Sequence, residues 1–516
     1  MKKLLKIFLL LLVCTMTTVT FVSCEDGKDG INGINGEDGE DGDDGEDGED
    51  GEDSSDIIEM NGLIIQNHST TPGHKFLDLR PGFNNVKVFT LITSEDNYLT
   101  DFTYGSMADG AGLIKNGDGS FTLINNIEAD YSVARINLDN TFTPVSGDHI
   151  LNAMATASTA QCSGSMITTE EHGFGPLYLS GGEWGGSSKG VFATDPYKNA
   201  SDASTPNMLS QFGQWSTENA VVIGKDAYPT KTVAFIGDDD SDNVTPQGQL
   251  GMYVGDRGDL NGGKLYGLKV DTAGITFEVD MEEGVAYDAS FVELTEREIE
   301  LLNTEAMTKG VMGFSRLEDI DWRRGDAEDQ REIYMAVTGR SKPDLEGKGT
   351  KFGRIYKVEL NETDPTGPAK ITCILDGDKP NGKANLFHSP DNILVTRNYA
   401  YIQEDPNGYE SEKASADHFA YLYQYNLVSG ELKVVLECNQ YEASKMGYGT
   451  TGSKWELTGM IDISETLGID ETFLLITQNH GWEKADGTPF TDPNANPAAD
   501  SRKEGSMMFI LNGLDR

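Results

Sequence analysis

The sequence has little of what marks several common classes of protein. It has no H-E-x-x-H zinc-peptidase motif and no G-x-x-x-x-G-K-[ST] nucleotide-binding loop. Its 7 histidines are too scattered for a zinc triad, and no serine has a histidine placed to complete a catalytic triad. Lys and Arg number 40 against 85 Asp and Glu, which gives a net charge of −45. Such a surface repels nucleic acid, so we exclude DNA and RNA as partners.

Cysteine is also scarce, at 5 residues. Cys14 and Cys24 lie near the N-terminus, which leaves Cys162, Cys373 and Cys438 in the body of the chain. An odd number of cysteines in an exported domain allows at most one disulfide bond and leaves one thiol over. A Cys373–Cys438 bond would leave Cys162 free, but counting cannot decide whether that pair forms.

Residues 1–23 are typical of a secretory signal peptide, because lysines precede a short apolar stretch at residues 7–13. This stretch is too short to anchor the chain as a membrane-spanning helix. Val22 and Ser23 precede Cys24 as in a bacterial lipobox, which predicts cleavage before Cys24 and lipidation of its thiol. The prediction is an outer-membrane lipoprotein that faces the periplasm or the cell surface. An ordinary secreted protein with a stray cysteine is the alternative.

Residues 24–56 form a predicted tether. Glycine occupies every third position from residue 27 to residue 51, as in collagen, but the segment has no proline and is rich in Asp and Glu. Self-repulsion between these acids opposes a triple helix. We therefore predict a disordered, acidic spacer between the lipid and the domain at residues 57–516.

The body of the chain repeats one pattern six times. An apolar, β-branched or aromatic run reads as a short buried strand, and in most cases it ends abruptly at carboxylates, amides or a histidine. The six runs are residues 121–128, 166–171, 233–240, 333–339, 399–405 and 473–480. Oxygen atoms of this kind are the ligands that hard cations prefer. Strands that end alike favour an all-β fold, a six-bladed β-propeller with long insertions and polar strand ends near a common axis.

Residues 422–436 predict a hairpin with a Val-Ser-Gly turn. One short helical insertion is predicted as well. Thr295 and Glu298 resemble a capping box at its start, and Gly310 follows its end.

The first candidate metal site lies in residues 161–171, where Cys162 is followed by a short strand and by Glu170 and Glu171. A thiolate with carboxylates can hold a transition metal at a mixed sulfur and oxygen site. A buried, inert cysteine beside a solvated acidic turn is the alternative.

The second candidate lies at a strand end, where Asp238, Asp240 and Asp242 have the D-x-D-x-D spacing of calcium loops. An EF-hand is excluded, because Asn243 stands where that loop needs glycine and Gln249 where it needs a bidentate glutamate. Two interpretations of this segment remain, a carboxylate cluster that binds a cation and a charged surface loop.

Arg316 and Glu318 are two residues apart and share one face of an extended chain. An arginine can bind a phosphate through two parallel hydrogen bonds while a neighbouring acid holds a metal. An exposed ion pair of little consequence is the alternative.

Seven short elements, in this order, resemble those of the PhoX-type alkaline phosphatases, which are secreted bacterial propellers with iron and calcium ions. Each element is short, but the ordered set is fairly specific. The elements are residues 162–171, 218–220, 237–239, 316–318, 390–392 with 403–405, 456–459 and 478–480.

The resemblance implies a role for each matching residue. Cys162, Glu218 and Glu318 are the implied iron ligands, and Arg316 is the implied catalytic residue that binds the substrate phosphate. The implied calcium or bridging ligands are Glu170, Glu171, Asp239, Asp391, Asn392 and Glu404, with Asp238 as a further metal candidate from the same strand end as Asp239. The implied reaction is metal-assisted hydrolysis of a small phosphomonoester.

Three functions remain open from the sequence. A phosphatase requires Cys162, Glu218, Glu318 and Arg316 to converge in one cavity. A non-catalytic, calcium-binding propeller for a surface glycan or protein requires only that the acids cluster. An esterase or lactonase requires an open calcium position without the arginine. The sequence leaves the oligomeric state open.

Overall fold

The computed structural model describes residues 57–240, 242–406, 413–497 and 503–516. The predicted leader and tether, with Cys24, lie outside these residues. Four short strands open the described chain, β1 (Ile58–Met60), β2 (Leu63–Ile65), β3 (Leu77–Leu79) and β4 (Lys87–Thr93). β1 and β2 pair with one another, whereas β3 and β4 each pair with a strand near the other end of the described chain.

The following strands form six consecutive antiparallel groups, named here blades 1 to 6. Blades 1 and 2 contain β5 (Ala108–Lys115), β6 (Phe121–Ile127), β7 (Ser132–Leu138) and β8 (Pro144–Leu151), then β9 (Thr159–Ile167), β10 (Leu177–Gly185) and β11 (Gly190–Thr194). Blade 3 contains β12 (Thr217–Val222), β13 (Lys231–Asp238), β14 (Leu250–Asp256), β15 (Lys264–Val270) and β16 (Ala286–Leu294).

The chain continues in the same way around the ring. Blade 4 contains β17 (Leu317–Trp322), β18 (Glu332–Val337), β19 (Arg354–Glu359) and β20 (Ala369–Asp376), and β20 also pairs with β16 of blade 3. Blade 5 contains β21 (Pro390–Val395), β22 (Tyr399–Glu404), β23 (Tyr421–Asn426) and β24 (Leu432–Cys438), and blade 6 contains β25 (Glu456–Asp462), β26 (Thr472–Asn479) and β27 (Gly505–Asn512).

The first strands of the blades form a closed ring. β5, β9, β12, β17, β21 and β25 each contact the first strands of the two neighbouring blades, and β25 contacts β5. The N-terminal part of the chain completes the last two sheets, because β3 adds to β24 and β4 adds to β27. The predicted all-β, six-bladed propeller is therefore confirmed, as is the hairpin at residues 422–436, which is formed by β23 and β24.

Burial between neighbouring blades explains why the runs are so apolar. The buried side chains form six apolar clusters, and each cluster is shared by two adjacent blades. Between blades 3 and 4, for example, Phe235 and Leu317 are completely buried. Each large core side chain contributes about 1.5–3 kcal/mol through the area that it removes from water.

The described residues contain four α-helices, α1 (Thr169–His172), α2 (Ile299–Lys309), α3 (Gln440–Lys445) and α4 (Ser464–Leu467), besides several short 3-10 helices. The predicted insertion is α2, and it ends at Gly310 with the left-handed φ of 77° that glycine tolerates. Its predicted capping box is wrong, because Glu298 is the N-cap and Thr295 hydrogen-bonds Glu305 instead. None of the helices in the described part of the chain is long and apolar enough to cross a membrane.

Cys162, Cys373 and Cys438 are all buried free thiols. Cys373 lies in β20 of blade 4 and Cys438 in β24 of blade 5. The disulfide bond that the sequence left open is not formed.

Close backbone approach between blades 2 and 3 provides a stability test. A Cβ atom on Gly181 would lie 2.0 Å from the backbone oxygen of Glu218, whereas one on Gly117 would meet nothing within 4 Å. We expect Gly181→Ala to lower the free energy of unfolding by about 1–3 kcal/mol through overpacking. Gly117→Ala is the matched control and should leave it unchanged in chemical denaturation. Equal stability of the two variants would contradict this packing.

Candidate metal centre

A β-bulge occurs at the same place in every blade. In blade 1, Ala108 and Ala111 of β5 pair with Ile127 and Asn125 of β6, so three steps along the first strand match two along the second. The same shift occurs in the other five blades. The six bulges span residues 108–111, 161–164, 217–220, 317–320, 390–393 and 458–461. A bulge places an extra residue on the strand and re-aims its side chain.

The second residue of each bulge carries the chemistry of the site. In blades 1 to 5 these residues are Asp109, Cys162, Glu218, Glu318 and Asp391. In blade 6 the position is Gly459, where a Cβ atom would lie 2.5 Å from the backbone oxygen of Asp109. Blade 6 therefore supplies hydrogen bonds instead of a ligand here, from the Thr458 hydroxyl and the Gly459 amide to Asp109.

The ends of the second strands add further polar side chains to this ring, with two more residues, Arg316 directly before β17 and Glu456 at the start of β25. We call the whole set the channel cluster. Its members are Asp109, Glu128, Cys162, Glu183, Glu218, Asp239, Arg316, Glu318, Asp391, Asp405, Glu456 and His480.

Cys162 is shared by two groups of potential ligands. Its sulfur lies within 4.8 Å of carboxylate oxygens of Asp109 and Glu128 in one group, and of Glu183 and Glu218 in the other. The thiol donates to Glu183 Oε2 at 3.2 Å. Burial raises the pKa of the Cys162 thiol well above its usual range, and the neighbouring carboxylates raise it further.

A third group joins blades 3, 4 and 5, because oxygens of Glu218, Glu318 and Asp391 lie within 4.8 Å of one another. Arg316 borders this group. Its Nε and Nη2 atoms donate to the two oxygens of Asp239 at 3.0 and 3.1 Å, and Nη2 also pairs with Glu318. Arg316 has a φ of 65°, a conformation that is uncommon outside glycine and that clusters at functional sites.

A fourth group lies at the more exposed edge of the cluster. Ligand atoms of Asp405, Glu456 and His480 fall within 4.8 Å of one another, and all three residues are partly buried. Asp405 and His480 follow the second strands of blades 5 and 6, and Glu456 begins the first strand of blade 6.

Burial and mutual repulsion oppose ionisation of the buried carboxylates. Burial raises the pKa of Asp109, Glu218, Glu318 and Asp391 well above the usual range, and repulsion between neighbouring carboxylates adds to that effect. Neither amide atom of Asn392, which is 1% exposed, has a hydrogen-bond partner among the described residues. Carboxylates and a thiol in one place, with an orphaned amide on the residue after Asp391, fit a set of bound metal ions.

A second ring of polar residues supports the first. The carboxylate of Asp319, next to Glu318, accepts hydrogen bonds from the amides of Ile320 at 2.8 Å and Ile393 at 2.9 Å. It also accepts one from the Ser163 hydroxyl at 3.3 Å, so it connects blades 2, 4 and 5. Burial raises the pKa of Asp319 to about 7. The first strands of all six blades line a cavity of about 930 Å³ that Ser163 and Asp319 border.

The structure brings together Cys162, Glu218, Asp239, Arg316, Glu318 and Asp391 from the sequence-based set. It corrects the expectation for Glu170 and Glu171, which lie in α1 beyond the far end of β9 and are exposed. Cys162 lies five residues before Ile167, the last residue of β9, which is about 16 Å of strand at the usual rise per residue, and α1 begins beyond that end. Glu171 instead lies 3.7 Å from Arg324 at the border of the cavity.

Two further candidates face away from the grouped ligands. Glu404 is buried within blade 5 and accepts hydrogen bonds from the His388 amide, the Tyr421 amide and the Tyr423 hydroxyl. Asp405, the next residue, takes the place that we expected for Glu404, because successive side chains alternate along a strand. The carboxylate of Asp238 accepts a hydrogen bond from the amide of Ser216 at 3.1 Å, whereas its neighbour Asp239 binds Arg316.

Sequence reasoning did not select six members of the cluster, which are Asp109, Glu128, Glu183, Asp405, Glu456 and His480. Glu128, Asp405 and His480 end three of the six runs, so their signal was present. Glu183 lies two residues before the end of β10, whose apolar run is broken by Gly181 and Gly182. The weakest run, residues 333–339, supplies no acidic or thiol side chain to the channel cluster. Its Thr338 hydroxyl donates to the backbone oxygen of Pro390 at 2.9 Å.

Fold and site together define a six-bladed propeller with a candidate metal centre of carboxylates and a thiol and an adjoining arginine. The family described as alkaline phosphatase PhoX matches residues 190–470, more than half of the sequence. The chain therefore belongs to the PhoX alkaline phosphatase family, whose members are phosphoric monoester hydrolases.

One solved structure agrees on the fold. Pseudomonas fluorescens PhoX in complex with vanadate, a transition-state analogue, has a TM-score of 0.60 and 14% identity, and the match covers 85% of this chain and 96% of that one. A GH43 enzyme from Xanthomonas citri has a TM-score of 0.28 and 10% identity over 78% of this chain and 95% of that one, which is too low to carry an argument. No curated protein sequence matches this chain.

The raised pKa values predict a specific pH dependence of stability. Folded carboxylates of the channel cluster keep their protons to higher pH than in the unfolded chain, where they titrate near pH 4. The metal-free folded protein therefore binds more protons above pH 4, and its stability falls as pH rises from about 5 to 8. Thermal melts in chelator should show this loss, and added calcium and iron should reverse it.

Glu318→Gln should flatten this slope because it removes one of the repelling charges. Glu293→Gln, an exposed residue paired with Lys264 at 2.8 Å, is the control and should leave the slope unchanged. A metal-free protein that is equally stable at both ends of the pH range would contradict the prediction.

Proposed function

We propose that this protein is a metal-dependent phosphomonoesterase whose calcium and iron ions bind in the channel cluster. The observation that carries the proposal is the convergence of the cysteine, the carboxylates and the arginine from different blades on one buried site. Cys162 and Glu218 share one ligand group, Glu218 and Glu318 share another, and Glu318 pairs with Arg316.

The donor atoms fit two kinds of metal ion. The thiol of Cys162 among carboxylates suits a transition metal such as iron. The all-oxygen group of Glu218, Glu318 and Asp391 suits a hard cation such as calcium. We infer that Asn392, the residue after Asp391, offers one more oxygen from its orphaned amide. When bound, these cations neutralise negative charge on the transferring phosphoryl group.

Arg316 is placed to bind the phosphate of the substrate. Its Nε and Nη2 atoms are held by Asp239 and Glu318, which fix the plane of the guanidinium. Its Nη1 atom donates to none of the described residues, and the side chain is 21% exposed. One side of the guanidinium thus remains for a phosphate oxygen, which forms strong charge-assisted hydrogen bonds with arginine.

Two competing functions require different geometry. A non-catalytic calcium-binding propeller needs neither a thiol nor an arginine in the cluster, yet Cys162 and Arg316 both contact cluster carboxylates. An esterase or lactonase needs no arginine beside the metals. The structural relative from Pseudomonas fluorescens, which binds vanadate, supports phosphate-ester chemistry on the same fold.

Hydrolysis of a chromogenic phosphomonoester in the presence of calcium and iron tests the proposal. We expect Arg316→Ala to lower kcat/KM by about 10²–10³, the usual effect of removing one donor to a developing anionic charge. Cys162→Ala should lose bound iron in elemental analysis together with activity. Arg340→Ala is a matched control, because Arg340 donates to Asn243 outside the cluster. Equal, negligible rates in all four proteins would favour the binding function.

We also propose that the enzyme is held at the outer membrane by a lipid on Cys24, with the acidic spacer between the lipid and the propeller. The lipobox and the Gly-x-x spacing support this location. Cys24→Ala should release the protein from the membrane fraction and abolish incorporation of labelled fatty acid, without changing kcat. Continued membrane association of the unlabelled variant would contradict the proposal.

A further inference from the structure

The turn that presents Arg316 is held by a buried glutamate from the neighbouring blade. Glu278 lies in a short 3-10 helix between β15 and β16 of blade 3 and is completely buried. Its Oε1 atom accepts hydrogen bonds from the amide of Ser315 at 2.9 Å and from the amide of Thr350 at 3.0 Å. Ser315 directly precedes Arg316, so this carboxylate fixes the backbone one residue from the guanidinium.

The other side of the same turn is paired with the end of β18. Thr338 donates its amide to the backbone oxygen of Arg316 at 2.9 Å, and Gly339 donates to that of Ser315 at 2.9 Å. These bonds hold the carbonyls, whereas Glu278 holds the amide. Because Arg316 has a φ of 65°, its conformation needs support on both sides.

Glu278 is itself held rigidly. The Tyr356 hydroxyl lies 3.3 Å from its Oε2 atom, and Arg354 donates to its backbone oxygen at 2.9 Å. Arg354 is in turn fixed by Asp376 at 2.8 Å. Burial raises the pKa of Glu278 to about 7, although the Thr350 amide and the Arg354 charge oppose that rise. Glu278 is therefore an ordered hydrogen-bond acceptor for the Ser315 amide and lies outside the channel cluster.

We propose that Glu278 is a positioning residue that orients the guanidinium of Arg316 toward the substrate phosphate. This inference rests on the proposed role of Arg316 in phosphate binding. Without the acceptor, the Ser315 amide loses its partner in the protein interior, and the turn is free to relax toward an unstrained φ. The guanidinium then moves relative to the metals, and small displacements of a positioning group are costly in catalysis.

A double-mutant cycle separates positioning from general stability. Glu278→Met has a similar volume but no acceptor, and we expect it to weaken binding of inorganic phosphate, measured by calorimetry, by about tenfold or more. KM should rise with it and kcat should fall. In an Arg316→Ala background the same change should alter phosphate affinity less than about twofold, since Glu278 acts through Arg316. Glu278→Gln keeps an acceptor oxygen and should restore most of the affinity.

Asp492→Asn is the matched control, because Asp492 is also a buried acid that accepts two backbone amides, those of Thr103 and Asn494, but contacts neither the Ser315 turn nor Arg354. It should leave phosphate affinity unchanged. If Glu278→Met does not fold, Glu278→Asp takes its place, because its carboxylate stops about 1.5 Å short of the Ser315 amide.

The outcomes are distinct. Unchanged phosphate affinity in a folded Glu278→Met or Glu278→Asp variant, with Arg316→Ala impaired, overturns the positioning role alone. Equal losses in the wild-type and Arg316→Ala backgrounds also overturn it, since they indicate a general structural effect. Undiminished phosphate affinity in Arg316→Ala itself overturns the proposed role of the arginine.

Discussion

Negative charge concentrated in a space that excludes water is the constraint on which this structure depends. Carboxylates of four blades, Asp109, Glu218, Glu318 and Asp391, approach one another at the starts of the first strands, where burial prevents water from screening them. Such an arrangement costs several kcal/mol per unpaired ion. It persists in a folded protein only if protons or metal ions share the charge. The scaffold is accordingly rigid, with six apolar clusters that clamp neighbouring blades and hold the repelling groups in place.

The repeated β-bulge explains how a propeller with little internal sequence similarity builds such a site. Each blade uses the same backbone irregularity at the same depth, so the side chain at its second position is presented in an equivalent way. The residue type at that position then varies freely between aspartate, glutamate, cysteine and glycine. The repeat is one of backbone register rather than of sequence. The glycine of blade 6 is as informative as the acids, because it leaves room for the backbone of Asp109.

Much of the fold could be predicted from the sequence, because strand periodicity and polar strand ends are local properties. Five of the six runs are the second strands β6, β13, β18, β22 and β26. The sixth run belongs to the first strand β9, which runs in the opposite direction, and this is why Glu170 and Glu171 lie at the wrong end. Periodicity does not reveal which strand of a blade a run belongs to. Nor does it reveal bulges, so Asp109 and Glu183 were missed.

The closure of the ring has a consequence for how the protein folds. β4 precedes every blade, yet its hydrogen-bonding partner β27 ends at Asn512, close to the C-terminus. Nearly the entire propeller must therefore be available before the last sheet can be completed. Contacts between such distant segments are slow to form, because the chain loses much entropy when the loop closes. A chain that lacks β27 leaves β4 without its partner strand and one edge of β26 unpaired, and it uncovers the apolar cluster that joins blade 6 to blade 1, so it presents an open, aggregation-prone edge.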